Sequence, residues 1–322
     1  MYLKKNTGFK AMLAKTGLAA YKAIVPKIFR NKITLLRNAS GLSDLRKNII
    51  AFFLSSPAEV NEDVKLVLKY LKNNPVAVFP YKFSTKYPSC DITVLYDKDV
   101  DLKYVLHEGK KLFFKRKLNV KGIKDYYAEL LIEQDLDSPH RYLNDAFTTI
   151  ETDVVADVGA AEGIFALSVV DRCGKLFLFE ADEEWIEALR ATFKPWESKV
   201  VITNKFVSDR DNEDCVSLDV FITENQIMFS FIKVDVDGAE SLVLKGAQEL
   251  LHRALTLRVA ICTYHGAEDE NLFRTIFEQL NFTIQTSKGY MVFYHDKQLS
   301  PPYLRRGLLR ATRELQVSLS HI

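Results

Sequence analysis

Cysteine is scarce in this chain: Cys90, Cys173, Cys215 and Cys262 are its four cysteines, and no two stand in a Cys-x-x-Cys pair. That spacing argues against a disulfide framework or a zinc ribbon and leaves free thiols in a reducing compartment. No apolar run approaches the eighteen or so residues needed to span a bilayer. Lys15 and Lys22 interrupt the amino-terminal stretch too often for a signal-peptide core, so the expected location is the cytoplasm. A surplus of one charge is lacking too, with 44 Lys and Arg against 42 Asp and Glu. Basic residues beyond the amino-terminal segment are balanced by acids and no recognition motif is present, which argues against a nucleic-acid partner. There is no internal repeat and no low-complexity tract.

Charge is nevertheless uneven. Residues 1–43 carry nine Lys or Arg and no acid, interleaved with Phe9, Met12, Leu13, Leu18, Tyr21, Ile24, Val25, Ile28 and Phe29. A basic amphipathic segment of this kind either lies peripherally on an anionic inner membrane face or docks on the protein's own core. After Pro301-Pro302, Arg305, Arg306, Arg310 and Arg313 stand beside Leu304, Leu308 and Leu309. Two readings of this tail stay open, a terminal helix for homo-oligomerisation and a solvated end.

What is present centres on Val154 to Gly163, Val-Val-Ala-Asp-Val-Gly-Ala-Ala-Glu-Gly, an apolar strand running into a tight turn and then a helix. Such a turn offers backbone N–H groups and a helix start to a charged nucleotide cofactor. A second strand, Lys175 to Phe179, ends in Glu180 about twenty residues on, where a carboxylate takes the two hydroxyls of a ribose. The dinucleotide fingerprint is incomplete, since Ala161 stands where the middle glycine would admit a pyrophosphate. Asp157, two residues before Gly159, is badly placed beside phosphates and well placed for a cationic amino-acid end. A cofactor with a sulfonium, an ammonium, a ribose and no phosphate fits, which is S-adenosylmethionine.

Downstream, strands alternate with helices: Trp185 to Phe193 helical, Val200 to Thr203 strand, Phe206-Val207-Ser208-Asp209, the strand Phe229 to Val236, a helix from Ser241 to His252, and the strand Leu257 to Thr263. The alternation predicts a parallel sheet covered by helices on both faces. Ligands gather at the carboxyl ends of such strands, where Asp157, Glu180, Asp235, Asp237 and His265 fall. Phe282 to Thr286 and Met291 to Tyr294 are too close for a crossover and predict an antiparallel hairpin. The fold class is therefore α/β, a Rossmann-like class I methyltransferase sheet closed by that hairpin.

These residues resemble the FkbM-type methyltransferase family. Asp157-Val158-Gly159-Ala160, Phe179-Glu180, Val216-Ser217-Leu218-Asp219 and Ile232 to Glu240 match in order, and the likeness continues through Leu244-Lys245-Gly246-Ala247 and Tyr264-His265 over about residues 140 to 295. Ala161, Ala181 and Asp237 depart from the family's usual Asn, Pro and Glu. The resemblance implies O-methylation of a hydroxyl on a sugar, glycan or secondary metabolite, a small-molecule or glycan acceptor, and S-adenosyl-L-methionine as cofactor. The expected cofactor contacts are Asp157, Gly159, Ala160, Gly163, Glu180, Ala181, Val207, Ser208 and Asp235. His265, Asp235 and Asp237 are the candidates for the base that takes the hydroxyl proton.

Each has a structural alternative. His265 has Gly266 or Asp269 to bond, the acids near Ala239 can cap the following helix, and Asp235, Asp237 and His265 offer hard ligands to a divalent metal, although no metal spacing is present and none is expected. Lys233 is expected to pair with one of these acids, and Glu162 to face solvent. A non-catalytic adaptor that keeps the fold is the alternative function, with an NAD-dependent oxidoreductase behind it.

The front third reads as a basic segment (1–45) and an α+β prelude (46–135) that suits a lid or acceptor-binding role, followed by the methyltransferase domain (136–298) and a basic tail (299–322). Ser56-Pro57-Ala58-Glu59 is a capping box before a helix carrying Val60, Val64, Val67, Leu68 and Leu71. Strands are predicted at 76–79, 92–96 and 111–114. Tyr81, Phe83, Tyr87, Tyr126 and Tyr127 are available to stack on a sugar or to fill a core.

Overall fold

A computed structural model describes residues 39–314. Most of the basic amino-terminal segment lies outside the described residues, and so does the chain after residue 314. Among the described residues no helix is long and apolar enough to cross a membrane.

The chain opens with Ala39–Ser55 (α1) and Glu62–Asn73 (α2), which pack through Ile49, Phe53, Val64, Val67 and Leu71 onto Val292 and Leu304 from the far end of the sequence. The capping box at Ser56 does not start α2. Pro57–Glu59 forms a single 3₁₀ turn, Ser56 makes no side-chain cap bond, and Val60 is extended at φ −91°, so the turn does not propagate. Asn61 caps α2 instead, accepting from Val64 N at 2.9 Å, with Glu62 and Asp63 favourably placed in the first turn.

A small antiparallel meander follows, Leu95–Asp97 (β1), Leu102–His107 (β2) and Lys110–Phe113 (β3). The expected strand at 76–79 is irregular. Its backbone is satisfied elsewhere, since Val78 O accepts from Val292 N at 2.9 Å. Val120–Glu133 (α3), capped by Asn119, buries Ile123, Tyr127 and Leu130. The meander docks where Phe113 N donates to Thr192 Oγ1 at 3.0 Å.

The main sheet has seven strands: Val154–Val158 (β4), Lys175–Phe179 (β5), Val200–Thr203 (β6), Phe231–Val234 (β9), Leu257–Cys262 (β10), Thr283–Thr286 (β11) and Leu308–Arg313 (β12), in the order β11-β12-β10-β9-β4-β5-β6. Phe206–Val207 (β7) and Cys215–Val216 (β8) form a separate short pair. The pairs β10/β9, β9/β4, β4/β5 and β5/β6 are parallel. Ile164–Val169 (α4), Glu183–Phe193 (α5), Leu218–Asn225 (α6), Glu240–Lys245 (α7), Gln248–Arg253 (α8) and Asp269–Gln279 (α9) cover the sheet. Successive strand residues point to opposite faces, so Leu176 and Leu178 enter one core while Phe177 and Phe179 enter the other. The strand numbering reverses direction between β4 and β9, the switch point where such sheets hold ligands. One expected helix, 241–252, is two, broken at Gly246, where a Cβ would stand 2.0 Å from Ser208 O.

The closing antiparallel pair is present, but its second strand is not Met291 to Tyr294. Leu308–Arg313 fills the position, lying between β10 and β11 and antiparallel to both. Met291 keeps only an isolated bridge to Arg305. The basic tail of the sequence reading is thus neither a helix nor a solvated end up to residue 313, and the boundary after 298 cuts through the sheet's own unit. Its arginines misled because they serve carbonyls and acids of the fold rather than water, Arg305 pairing with Asp296 and Arg306 with Asp63. Arg310 Nε donates to Tyr142 O at 3.0 Å, and Arg313 Nη1 to Leu251 O at 2.8 Å and Ala254 O at 3.1 Å.

Leu309 is fully buried opposite Ile261. Leu309→Ala should therefore lower stability by about 2–5 kcal/mol in urea denaturation; a change within about 0.5 kcal/mol, as for a surface tail, would contradict this placement.

Candidate active site

The turn after β4 is held in place from below. Gly159 N and Ala160 N both donate to Phe179 O at 3.0 Å, and Gly163 N donates to Ala160 O at 2.8 Å. Gly159 has φ +76°, and a Cβ there would lie 2.0 Å from Asp235 O, so only glycine lets the turn lie against the end of β9. Ala161, where the dinucleotide pattern wants glycine, takes the left-handed conformation at φ 47°.

Glu180, just past β5, is buried beside this turn. Its Oε2 accepts from Ala161 N at 2.8 Å and its Oε1 from Asp182 N at 2.7 Å. Burial raises its pKa and the two N–H bonds oppose the rise. Each oxygen keeps a further lone pair for an incoming hydroxyl. Asn204, missed in the sequence, supports the same corner by donating to Glu180 O at 2.9 Å. Ala181 follows directly. Val207 and Ser208 are tied instead to the neighbouring pair: Ser208 N bonds Val216 O at 3.0 Å and Val207 sits in the core.

Asp157 is fully buried within β4, and Lys233 Nζ lies 3.1 Å from its Oδ1 while donating to Gly159 O at 2.6 Å. The expected pairing of Lys233 with an acid is thus present. Burial raises the Asp157 pKa against the pull of Lys233. Burial would lower the Lys233 pKa, but Asp157 and Asp235 outweigh it and hold the ammonium charged.

Past β9, Asp235 Oδ2 accepts from the Tyr142 hydroxyl at 2.6 Å and lies 3.4 Å from His140 Nε2. Burial opposes its ionisation, yet His140, Lys233 and His265 keep its pKa far below the usual carboxylate range. His140 and Tyr142 come from the link between α3 and β4, about ninety residues away, and no local pattern announces them. His265, after β10, has Nδ1 3.0 Å from Glu240 Oε1 and Nε2 3.8 Å from Asp237 Oδ1. Burial would lower its pKa, but Glu240, Asp235 and Asp237 push it up to about 9. Gly266 N turns away to Asp269 Oδ2 at 2.5 Å. Glu240 also accepts from Val236 N at 3.1 Å, fastening the loop before α7. Asp237 stands at the mouth with its side chain 38% exposed; burial raises its pKa, and the charge of His265 opposes the rise.

Two sets, His140 with Asp235 and Cys262, and Asp235 with Glu240 and His265, bring ligand-type atoms within 4.8 Å of one another. The ion pairs and hydrogen bonds above, with Cys262 Sγ 3.6 Å from His140 Nε2, account for both.

Glu162 reverses its expectation. It is 3% exposed rather than solvent-facing, and its Oε2 accepts from the Tyr126 hydroxyl at 2.6 Å. Of the five front-end aromatics, Tyr126 thus reaches the turn after β4. Tyr81 stacks on Phe83 at 5.6 Å, and Tyr87 and Tyr127 line a separate cavity of about 370 Å³ with Ile92, Leu106 and Leu131.

Residues 188–291 match the methyltransferase FkbM domain family, a span that holds the β9 acids and His265. No curated protein sequence matches. Among solved structures the chain is similar to the methyltransferase FkbM of Methylobacillus flagellatus at 15% identity, covering 60% of this chain and 53% of that one with a TM-score of 0.42. It is also similar to an rRNA methylase of Streptococcus thermophilus (13%, 52% and 90%, TM-score 0.37) and a precorrin-6y C5,15-methyltransferase of Geobacter metallireducens (10%, 65% and 97%, TM-score 0.38). The chain spans about half the length of the first of these. The class I assignment rests on the strand order and the inserted antiparallel β12.

A protonated His265 predicts a pH dependence. Its pKa of about 9 lies above the unfolded value of about 6.5, so the native state holds the extra proton between them. The stabilisation is complete below about pH 6.5 and is lost as pH rises through about 9, a fall of order 1–3 kcal/mol measurable by urea denaturation. Glu240→Gln should move the His265 titration, read by NMR, down toward its ordinary value.

Proposed function

We propose that this protein is a methyltransferase dependent on S-adenosylmethionine that methylates a hydroxyl of a sugar, glycan or other small metabolite. The observation that carries the reading is Glu180, oriented by Ala161 N and Asp182 N at the carboxyl end of β5 with lone pairs left for two ribose hydroxyls. The charge around the turn supports it. Glu162, Glu180, Asp235 and Asp237 gather around the switch point, with Lys233 and His265 among them and Lys115 paired to Asp182 at its edge, so acids outweigh cations there and the cleft suits a ligand with positive groups and no phosphate.

The bound cofactor supplies a methyl group on a sulfonium, already joined to a good leaving group. The chain's own work is then to align an acceptor oxygen and exclude water, an orientation effect worth up to roughly 7–11 kcal/mol in model systems. Asp237, exposed at the mouth, is the group we assign to accept the hydroxyl proton. Asp235 is held ionised by His140, Lys233 and His265 and orients the acceptor. His265 is protonated at neutral pH, which disfavours it as the base and makes it a cationic brace between Asp237 and Glu240. The α+β prelude, which lends Tyr126 to the turn, is the proposed lid.

Calorimetry tests the reading. S-adenosylhomocysteine should bind the wild type with micromolar affinity, and Glu180→Ala should weaken it at least tenfold. Asp237→Asn should leave that affinity within about twofold and lower labelled methyl transfer to a panel of hydroxylated acceptors by about 10²–10⁴. A response to NADH with none to S-adenosylhomocysteine would overturn the proposal.

A further inference from the structure

Most acids around the turn are already committed. Asp157 is fully buried and paired with Lys233, Asp235 serves Tyr142 and His140, and Glu240 braces His265. Glu180 is oriented toward a ribose on the reading above. Glu162 differs. It sits inside the turn itself, is 3% exposed, and among the described residues has no Lys, Arg or His within ion-pairing distance. Its polar side-chain partner is a neutral phenol, Tyr126 on α3. Its Oε1 takes a long 3.4 Å bond from Ile164 N, and its own backbone N–H is a further local donor to the carboxylate, which leaves acceptor capacity for a stronger, charged donor. An isolated buried carboxylate is costly unless it meets a counter-charge, and such a group beside a cofactor turn is a candidate for recognising one.

Resting on the proposed use of S-adenosylmethionine, we propose that Glu162, oriented by the Tyr126 hydroxyl, is the counter-charge for the ammonium at the cofactor's amino-acid end, and that binding there expels a proton from Glu162 to solvent. Glu180 and Glu162 then divide the ligand between them, the ribose to one and the ammonium to the other. The groups facing Glu162 are Tyr126 and Glu133 of α3, Lys233 of β9 and, through Tyr126, Glu180 just past β5. Burial pushes the Glu162 carboxyl up to about 7, with Glu133 adding to the rise and Tyr126 and Lys233 opposing it. An arriving ammonium favours the ionised form, so affinity should fall as pH drops below about 7.

The test is calorimetry at pH 7 in two buffers of different ionisation enthalpy, with two probes. S-adenosylhomocysteine carries the ammonium, and 5′-methylthioadenosine keeps the adenosine half without it. For the wild type, S-adenosylhomocysteine should release a substantial fraction of a proton and methylthioadenosine none. Glu162→Gln, which keeps the volume and the bond to Tyr126, should weaken S-adenosylhomocysteine at least tenfold, abolish proton release and leave methylthioadenosine within about twofold. Unchanged binding of S-adenosylhomocysteine, or an equal loss for both probes, would overturn the assignment. Should the variant fail to fold, the absence of proton release by the wild type overturns it as well. A wild type that binds neither probe would instead remove the cofactor reading on which the proposal rests.

Discussion

The buried pair of Asp157 and Lys233 sets the rest of the site. They are register partners on the parallel strands β4 and β9, and both are almost wholly withdrawn from water. Removing either partner from such a pair leaves an uncompensated charge at a cost of about 3–5 kcal/mol. Lys233 does more than neutralise Asp157, because its hydrogen bond to Gly159 O ties the turn to β9. With the turn pressed against Asp235 O, the positions of Asp235, Asp237 and the loop before α7 follow from the same contact.

That clasp also sorts the acids. Asp157 is paired with Lys233 inside the sheet, whereas Asp235, Asp237 and Glu240 stand beyond the end of β9 among His140, Tyr142 and His265. Asp235 is kept ionised by His140, Lys233 and His265, whereas burial outweighs the Tyr126 hydroxyl and Lys233 at Glu162 and pushes its carboxyl up to about 7. One cleft thereby contains carboxylates in different protonation states, set by their neighbours rather than by residue type. His265, which by sequence looked like a base, is surrounded by acids on three sides and so retains its proton.

Much of the parallel sheet was readable because its signals are local. An apolar run followed by glycines, an acid at the end of the next strand, and Asp235 to Glu240 before a helix are each written in a few consecutive residues. Glu162 was read as exposed because a first-turn glutamate usually is; Tyr126, thirty-six residues earlier, covers it. His140 and Tyr142 escaped notice for the same reason, since the partner that gives them a role lies across the fold. The meander was misread where β2 went unrecognised, and Val76 to Phe79 is apolar enough to resemble a strand while finding its backbone partner in Val292.

By itself the sequence determined the alternation of strands and helices, the glycine turn, and the acids at the strand ends, because periodicity and turn chemistry act over short distances. Tertiary structure decided which strand closed the sheet and which acids remain available to a ligand. Leu308–Arg313 reads as a basic tail until its arginines meet the carbonyls of Tyr142, Leu251 and Ala254. Glu162 and His265 likewise acquire their charge states from residues brought to them by folding, since a pKa in the interior depends on burial and on charges that only the packed chain places nearby.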